Sequence, residues 1–274
     1  MSVRKNQSRL SAAERTAFVN AVLELKRRGG YDELVRIHNE RMMADYDTGH
    51  GVAHRGPSFL PWHREFLLKF ERGLQAINSQ VTVPYWNWTQ DTSRTASLWS
   101  SNFLGGDGRP ADGQVTTGPF AYSTGNWTLT VRLDDRPFLT RAMGAATPTL
   151  PTPGDLSAVL ARTPYDTAPW DSASPAGFRA GLEGFTSPWL HNLVHDWVGG
   201  HMLTTVSPND PTFFLHHCFL DKCWADWCAA HPSSSSYLPA GGTANVVDAN
   251  EPLPPWNDMT PAALLNYTRF YTYG

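Results

Sequence analysis

The sequence predicts a mainly α-helical protein in which a four-helix bundle forms a single domain, surrounded by long irregular loops and a few short strands. Apolar residues recur at helical spacing in five segments, and capping residues, glycine or proline bound these segments. Residues 89–175 are instead dense in glycine, proline, serine and threonine, a composition typical of loops. Because no compositional break divides the 274 residues, we expect one domain spanning residues 1–274.

The first three helices are expected in the N-terminal third of the chain. Ser11 and Glu14 form a capping-box pattern that begins the first helix, and a glycine pair ends it. Residues 31–43 are predicted to form the second helix, in which His38 shares a face with apolar residues four positions away. An apolar stripe of helical period predicts the third helix over residues 63–77.

The middle of the chain carries weaker periodic signals. Residues 81–88 are few, aromatic and interrupted by a proline, so they are expected to be extended. Within the loop-like stretch that follows, short strands are expected only around residues 127–133. We therefore expect residues 89–175 to be mostly loop.

Two further helices are expected in the C-terminal third. A proline precedes and two glycines follow the segment LHNLVHDWV, residues 190–198, which is predicted to be the fourth helix. Asp210 as N-cap and Pro211 at the first helical position begin the fifth helix, which extends to about residue 229. The tail, residues 231–274, is rich in proline and small polar residues and is expected to wrap the surface.

Composition disfavours several classes of partner. A formal net charge of -3 gives no electrostatic reason to bind nucleic acid. No window approaches 18 consecutive apolar residues, so no membrane span is expected, and the N-terminus lacks the apolar stretch of a secretory signal. The three cysteines are spaced by five residues, do not share a helix face and are expected to be ordinary buried thiols: Cys218, Cys223 and Cys228.

Histidines lie on or near the apolar faces of four predicted helices. Two of them are four residues apart on the fourth helix, so both rings project from one face and can converge on one ion. A lone buried histidine is usually a hydrogen-bonded core residue, but six imidazoles on such faces favour metal binding. Neutral imidazole suits copper, zinc, iron and nickel. The two candidate trios are His38, His54 and His63, and His191, His195 and His217.

Two segments resemble the copper signatures of the tyrosinase, catechol oxidase and hemocyanin family. The first is HRGPSFLPWHREFLLKFE, residues 54–71, and the second is DPTFFLHHCFLD, residues 210–221. The resemblance implies a binuclear centre of two copper ions, one on each trio. The spacing of the second signature selects His217 and leaves His216 outside the ligand set. The other histidines are likewise expected to be non-ligands: His50, His201 and His231.

The resemblance, which extends to the length of the short bacterial tyrosinases, implies an enzyme. We expect it to use O₂ to hydroxylate monophenols at the ortho position and to oxidise o-diphenols to o-quinones. The alternatives are an o-aminophenol oxidase, a catechol oxidase with little activity on monophenols, and an oxygen carrier. A zinc-stabilised bundle is disfavoured because three ligands per ion leave a coordination position open.

Similarity to the bacterial members also implies residues near the substrate. Glu183 and Asn192 are expected to hold a water that takes the proton of a phenol, whose ordinary pKa is about 10. Leu193 and Asp196 are expected at the mouth of the site, where the Asp196 carboxylate should disfavour substrates that carry a carboxylate of their own. Arg64, Glu71 and Asp221 are expected to form buried ion pairs.

The bacterial members further imply a partner. A small copper-delivering helper protein of the caddie type is expected, in addition to the phenolic substrate and O₂. We therefore expect the chain to be cytoplasmic or to be exported together with that helper.

Overall fold

The computed structural model describes residues 2–274, and these residues are mainly helical, as predicted. Short 3₁₀ turns join several of the regular elements. In chain order, the regular elements are β1 (Ser2–Arg4), α1 (Ala12–Arg27), α2 (Gly30–Thr48), α3 (Phe59–Gln75), α4 (Pro153–Leu160), α5 (Phe178–Glu183), α6 (Leu190–Val198), α7 (Thr212–Ala230), α8 (Pro261–Leu264) and β2 (Tyr271–Tyr273).

The five predicted helices are present as α1, α2, α3, α6 and α7. In α1 the Ser11 hydroxyl accepts the Glu14 N–H while the Glu14 carboxylate accepts the Ser11 N–H, which confirms the capping box. α3 begins at Phe59 rather than His63, because Pro61 fits in the first turn, where its missing N–H has no helical partner. α7 begins at Thr212, so Pro211 rather than Asp210 is its N-cap, and the Asp210 carboxylate accepts the N–H of Thr212 at 3.0 Å.

The middle of the chain differs from its prediction. Residues 127–133 form no strand, and Trp127 instead donates its indole N–H to the Asn209 carbonyl at 3.2 Å. α4 lies inside the stretch predicted to be mostly loop and begins with a second capping box, between Thr152 and Asp155. α5 follows at residues 178–183 and is buried along its whole length, including its polar Arg179 and Glu183, so it has no exposed face for a periodicity argument to detect.

The histidine-bearing helices enclose an aromatic core. α3 packs against α7, α1 packs against both α2 and α3, and α6 packs against α5. At the α3–α7 contact the rings of Phe70 and Phe214 stack with their centroids 3.7 Å apart. The extended segment 81–88 was correctly predicted and lies against α7, where the Trp86 N–H donates to the Leu215 carbonyl.

The tail wraps the surface, as expected, and it also inserts widely spaced side chains into the core. β2 pairs in parallel with β1, and Tyr271 and Leu264 are fully buried. The indole N–H of Trp62 on α3 donates to the Pro254 carbonyl at 2.8 Å. The tail is rich in proline, yet it supplies widely spaced buried side chains that no periodic pattern marks.

Buried charges and thiols follow their predictions. Arg64 pairs with Asp221 at 2.5 Å, and Glu71 pairs with Arg4 of β1 at 2.9 Å. All three cysteines are free thiols, two of them buried and one partly buried. Within residues 2–274, no helix is both long enough and apolar enough to cross a bilayer.

Candidate metal centre

Seven histidines form two groups at the meeting point of α2, α3, α6 and α7. Within each group, one possible ligand atom of every member lies within 4.8 Å of those of the others. The first group matches a predicted trio, and the second contains one residue more than predicted. The groups are His38, His54 and His63, and His191, His195, His216 and His217.

Backbone carbonyls orient two rings of the first group. The Nδ1 of His38 lies 2.8 Å from the Thr205 carbonyl, and the Nδ1 of His63 lies 2.9 Å from the Phe59 carbonyl. A carbonyl can only accept, so each Nδ1 carries the proton and each Nε2 presents a lone pair. Both Nε2 atoms are buried and have no protein partner.

His54, the third member, lies in the loop after α2, and the buried Asp45 shapes that loop. The Asp45 carboxylate accepts the backbone N–H groups of Val52, Ala53 and His54 at 3.2, 2.9 and 3.0 Å. Its Oδ2 also lies 3.7 Å from the His54 Nδ1. Sequence reasoning missed Asp45, although an acid near the end of a helix before a glycine-rich loop is a typical loop anchor.

Backbone carbonyls also orient the two rings of the second group that lie on α6. The Nδ1 of His191 lies 3.0 Å from the Glu183 carbonyl and 2.9 Å from the Asn192 amide oxygen. The Nδ1 of His195 lies 2.5 Å from the Met202 carbonyl. Both Nε2 atoms are again buried and unpartnered.

The adjacent histidines of α7 are both buried, and neither ring has a hydrogen-bond partner. The His217 ring stacks on His63 of the first group, with centroids 4.2 Å apart and planes inclined by 16°. His216 lies on the other side, with its ring 5.2 Å from His191 and 5.1 Å from His195. His217 therefore joins the two groups, and His216 belongs to the second alone.

Burial decides the charge of these rings. Desolvation, reinforced in most cases by neighbouring imidazoles, lowers the pKa of His195 to about 4. It lowers the pKa of five other rings well below the usual value: His38, His63, His191, His216 and His217. At neutral pH these six rings are therefore neutral imidazoles with unsatisfied lone pairs, which are donors that copper accepts.

A cavity of about 370 Å³ gives access to the centre. His38, His54, His191 and His195 line it, whereas His63 and His217 lie deeper. Of the residues predicted near the substrate, Glu183, Asn192 and Asp196 line the cavity, and Leu193 does not. The lining residues that sequence reasoning missed include Arg55, Tyr46 and Leu203.

Glu183 stands at the end of α5, and each of its carboxylate oxygens accepts one hydrogen bond from the protein. One oxygen accepts the Arg55 backbone N–H, and the other accepts from the Arg179 guanidinium at 3.1 Å. Burial raises the pKa of Glu183 above its ordinary value, although Arg179 acts in the opposite direction. Arg55 itself has a φ of 64°, and its guanidinium lies 3.8 Å from the centre of the Tyr46 ring.

Comparisons with known proteins agree with this geometry. The model of the common central domain of tyrosinase matches residues 28–230. A tyrosinase of Streptomyces antibioticus is 58% identical over 273 residues, covering 100% of this chain and 99% of the relative. Grixazone synthase of Streptomyces griseus is 47% identical over 302 residues, covering 99% of this chain and 98% of the relative.

A solved structure agrees with the fold. Tyrosinase from Burkholderia thailandensis superimposes with a TM-score of 0.67 at 17% identity, covering 100% of this chain and 73% of that one. The family model and the relatives name the same family whose copper signatures contain histidines of both groups. The chain therefore belongs to the tyrosinase family and is a copper oxidoreductase that acts on phenols.

Proposed function

We propose that the chain uses O₂ to hydroxylate monophenols at the ortho position and to oxidise o-diphenols to o-quinones. The observation that carries the proposal is the contact between two groups of neutral imidazoles beneath an open cavity. The 58% identity to a protein named tyrosinase supports it.

We assign His38, His54 and His63 to one copper ion and His191, His195 and His217 to the other. When bound, the two ions supply the redox chemistry with O₂. The protein supplies orientation, since carbonyl acceptors fix four of the six rings through Nδ1 and direct Nε2 inward. All six ligands are neutral, so the positive charge is retained and favours an anionic phenolate.

The test is to load the purified chain with copper and measure metal content, O₂ consumption and quinone formation with a monophenol and its matching o-diphenol. We expect two copper ions per chain and turnover of both substrates. His38→Ala should retain one ion and lose oxidation, while His231→Ala, outside both groups, should behave as the parent. A parent chain that binds fewer than two ions, or oxidises neither substrate, contradicts the proposal.

Glu183 and Asn192 are proposed to hold a water that takes the proton of the phenol. Both line the cavity, and Asn192 is fixed by its contact with His191 and by donation to the Gly184 carbonyl at 2.9 Å. A nearby proton acceptor matters most for monophenols, which must ionise to approach the copper. Asn192→Ala should therefore slow monophenol turnover more than o-diphenol turnover while retaining two copper ions. Equal slowing of both reactions would reject this role.

Asp196 is proposed to influence substrate choice at the mouth. Its carboxylate lines the cavity and should disfavour substrates bearing a carboxylate, but the Arg55 guanidinium lines the same cavity and acts in the opposite sense. We therefore propose kcat/KM measurements for tyrosine, tyramine and an o-aminophenol. Asp196→Asn should raise the relative use of tyrosine, and Arg55→Gln should lower it. Unchanged ratios in Asp196→Asn would exclude this role.

The role predicted for Leu193 has no support from the cavity, where Leu203 supplies the exposed aliphatic side chain.

The second candidate is oxidation of o-aminophenols or o-diphenols with little monophenol hydroxylation. The observation favouring it is the 47% identity to a protein named grixazone synthase. Relatives that align with nearly all of this chain therefore carry two different enzyme names. The two candidates differ in whether a monophenol is converted without added o-diphenol. Reversible O₂ binding with no turnover of any phenol would instead indicate a carrier.

We also propose that a small helper protein delivers copper and accompanies export. Two exposed apolar side chains line the cavity, Tyr46 and Leu203, and they offer a surface for such a partner. The test is copper uptake by the chain expressed alone. The proposal is contradicted if the chain expressed alone takes up its full complement of free copper as fast as the chain does in cells that co-express a helper.

A further inference from the structure

One short segment contacts a histidine from each of the two groups. We define the clasp as residues 199–205, which follow α6. Its Met202 carbonyl accepts from the Nδ1 of His195, and its Thr205 carbonyl accepts from the Nδ1 of His38. Because these acceptors are three residues apart on one stretch of backbone, a displacement of the clasp moves a ring of both groups.

The clasp is fixed at its N-terminal side by a two-way contact with Thr140. The His201 N–H donates to the Thr140 carbonyl at 3.1 Å, and the Thr140 N–H donates to the His201 Nδ1 at 3.0 Å. The Thr140 hydroxyl lies 2.8 Å from the same nitrogen. Gly200 permits this approach, since a Cβ there would lie 2.2 Å from the Thr140 carbonyl oxygen at a φ of 57°.

The support extends from Thr140 to α7. The neighbouring Arg141 forms two hydrogen bonds to the carboxylate of Asp210, at 2.7 and 2.8 Å, and both side chains are fully buried. Asp210 in turn accepts the N–H of Thr212 at the start of α7. At the other end, the Thr205 hydroxyl donates to the amide oxygen of Asn39, the residue after His38, at 2.5 Å.

From these contacts we infer that His201 is a positioning residue which sets the copper affinity of both metal positions together. His201 belongs to neither histidine group, and its Nδ1 is occupied by Thr140. Its role is to hold the Met202 and Thr205 carbonyls in register with His195 and His38. The inference rests on the proposed assignment of one copper ion to each trio.

The substitution His201→Leu tests the inference, because leucine fills the space without accepting from Thr140. Loss of a partner that hydrogen-bonds a ligand directly lowers metal affinity roughly 10- to 100-fold. His201 acts one contact further out, so the expected loss is at the lower end of that range, about 10-fold. We expect this loss for both copper ions at once, measured as copper retained per chain against graded chelator, with circular dichroism showing that the metal-free variant is folded. His201→Asn keeps an acceptor oxygen near the position of Nδ1 and should retain most of the affinity. His231→Leu is the matched control and should bind copper as the parent does.

A folded His201→Leu chain that retains both ions like the parent, or loses only one, overturns the inference. If His201→Leu does not fold, Thr140→Val replaces it as the test. This variant removes one hydroxyl contact to His201 and should lower the affinity for both copper ions to a smaller extent. Unchanged affinity in Thr140→Val overturns the inference. Failure of the proposed function is distinguishable, since the parent chain itself would then bind fewer than two copper ions.

Discussion

The two adjacent histidines of α7 differ in what they contact. His217 stacks on His63 of the first group and on Phe213, with ring centroids 4.2 and 4.0 Å apart, so it lies between the two metal positions. His216 contacts the second group, and on its other side its ring centroid lies 6.4 Å from that of Trp88. Neither of its ring nitrogens has a protein partner. Signature spacing separates the two residues in the same way, although it did not predict that His216 lies inside the second group.

Substitution of each residue by phenylalanine should separate their roles. His217→Phe is expected to retain one copper ion per chain, because the second position loses the ring that faces both groups. His216→Phe is expected to retain two, because the aromatic volume between His191 and His195 is preserved. Metal analysis of the purified variants provides the measurement. Loss of one ion in His216→Phe would show that His216 is a ligand.

Asp45 makes a comparable contribution to the first group. Asp45→Ala leaves three buried backbone N–H groups without their acceptor, and we expect unfolding free energy to fall by on the order of 3 kcal/mol. Copper affinity should fall mainly at the position that uses His54. Urea unfolding and chelator competition measure the two effects. The exposed neighbour Asp47 gives the control, and an Asp45→Ala chain as stable as Asp47→Ala would refute the role of Asp45.

At the scale of elements, local chemistry predicted the helices that are amphipathic or capped. The helix α1 depends on its capping box, and its pattern is visible in four residues of sequence. The helix α5 has no such signal, because all six of its residues are buried and its end at Gly184 is fixed by a close contact with Asn192. Its role in placing Glu183 is therefore a product of packing.

The capping box gives a prediction for α1. Ser11→Ala removes the acceptor for the Glu14 N–H, and the expected loss is about 1 kcal/mol of unfolding free energy. Denaturant unfolding of the metal-free chain measures it. Ser172→Ala, at an exposed loop position, is the control, and equal stability of the two variants would be evidence against the cap.

At the scale of the whole molecule, Asp221 connects both ends of the described chain to the bundle. Its carboxylate accepts from Arg64 of α3 at 2.5 Å, from Arg4 of β1 at 3.4 Å and from the hydroxyls of Tyr271 and Tyr273 of β2. Burial opposes ionisation of Asp221, but the two arginines and the tyrosine hydroxyls outweigh it and hold the pKa below its ordinary value.

This network gives a pH prediction. A depressed folded-state pKa means that the unfolded chain binds more protons, so the stability from Asp221 is complete above the ordinary pKa of about 4 and is lost as pH falls through the folded value. Asp221→Asn should lose about 3–5 kcal/mol at pH 7, because the buried Arg64 loses its charged partner while the buried Arg4 keeps only Glu71. Urea unfolding followed from about pH 5 down to about pH 2, where a carboxylate with a depressed pKa takes up its proton, should show a shallower acid decline in the variant. An identical decline in parent and variant would assign it to other carboxylates.

The sequence by itself determined the helices that carry the histidines, the first histidine group, three of the four members of the second group, and the family signatures. It did so because helical period and short-range spacing place those rings on defined faces of single elements. Tertiary structure alone decided the Asp45 loop anchor, the burial of Glu183, the presence of Arg55 rather than Leu193 in the cavity, and the clasp. The contacts of Glu183 and of the clasp join residues that are distant in sequence. The Asp45 anchor and the clasp act through backbone N–H and C=O groups that every residue possesses, so side-chain patterns mark these features weakly or not at all.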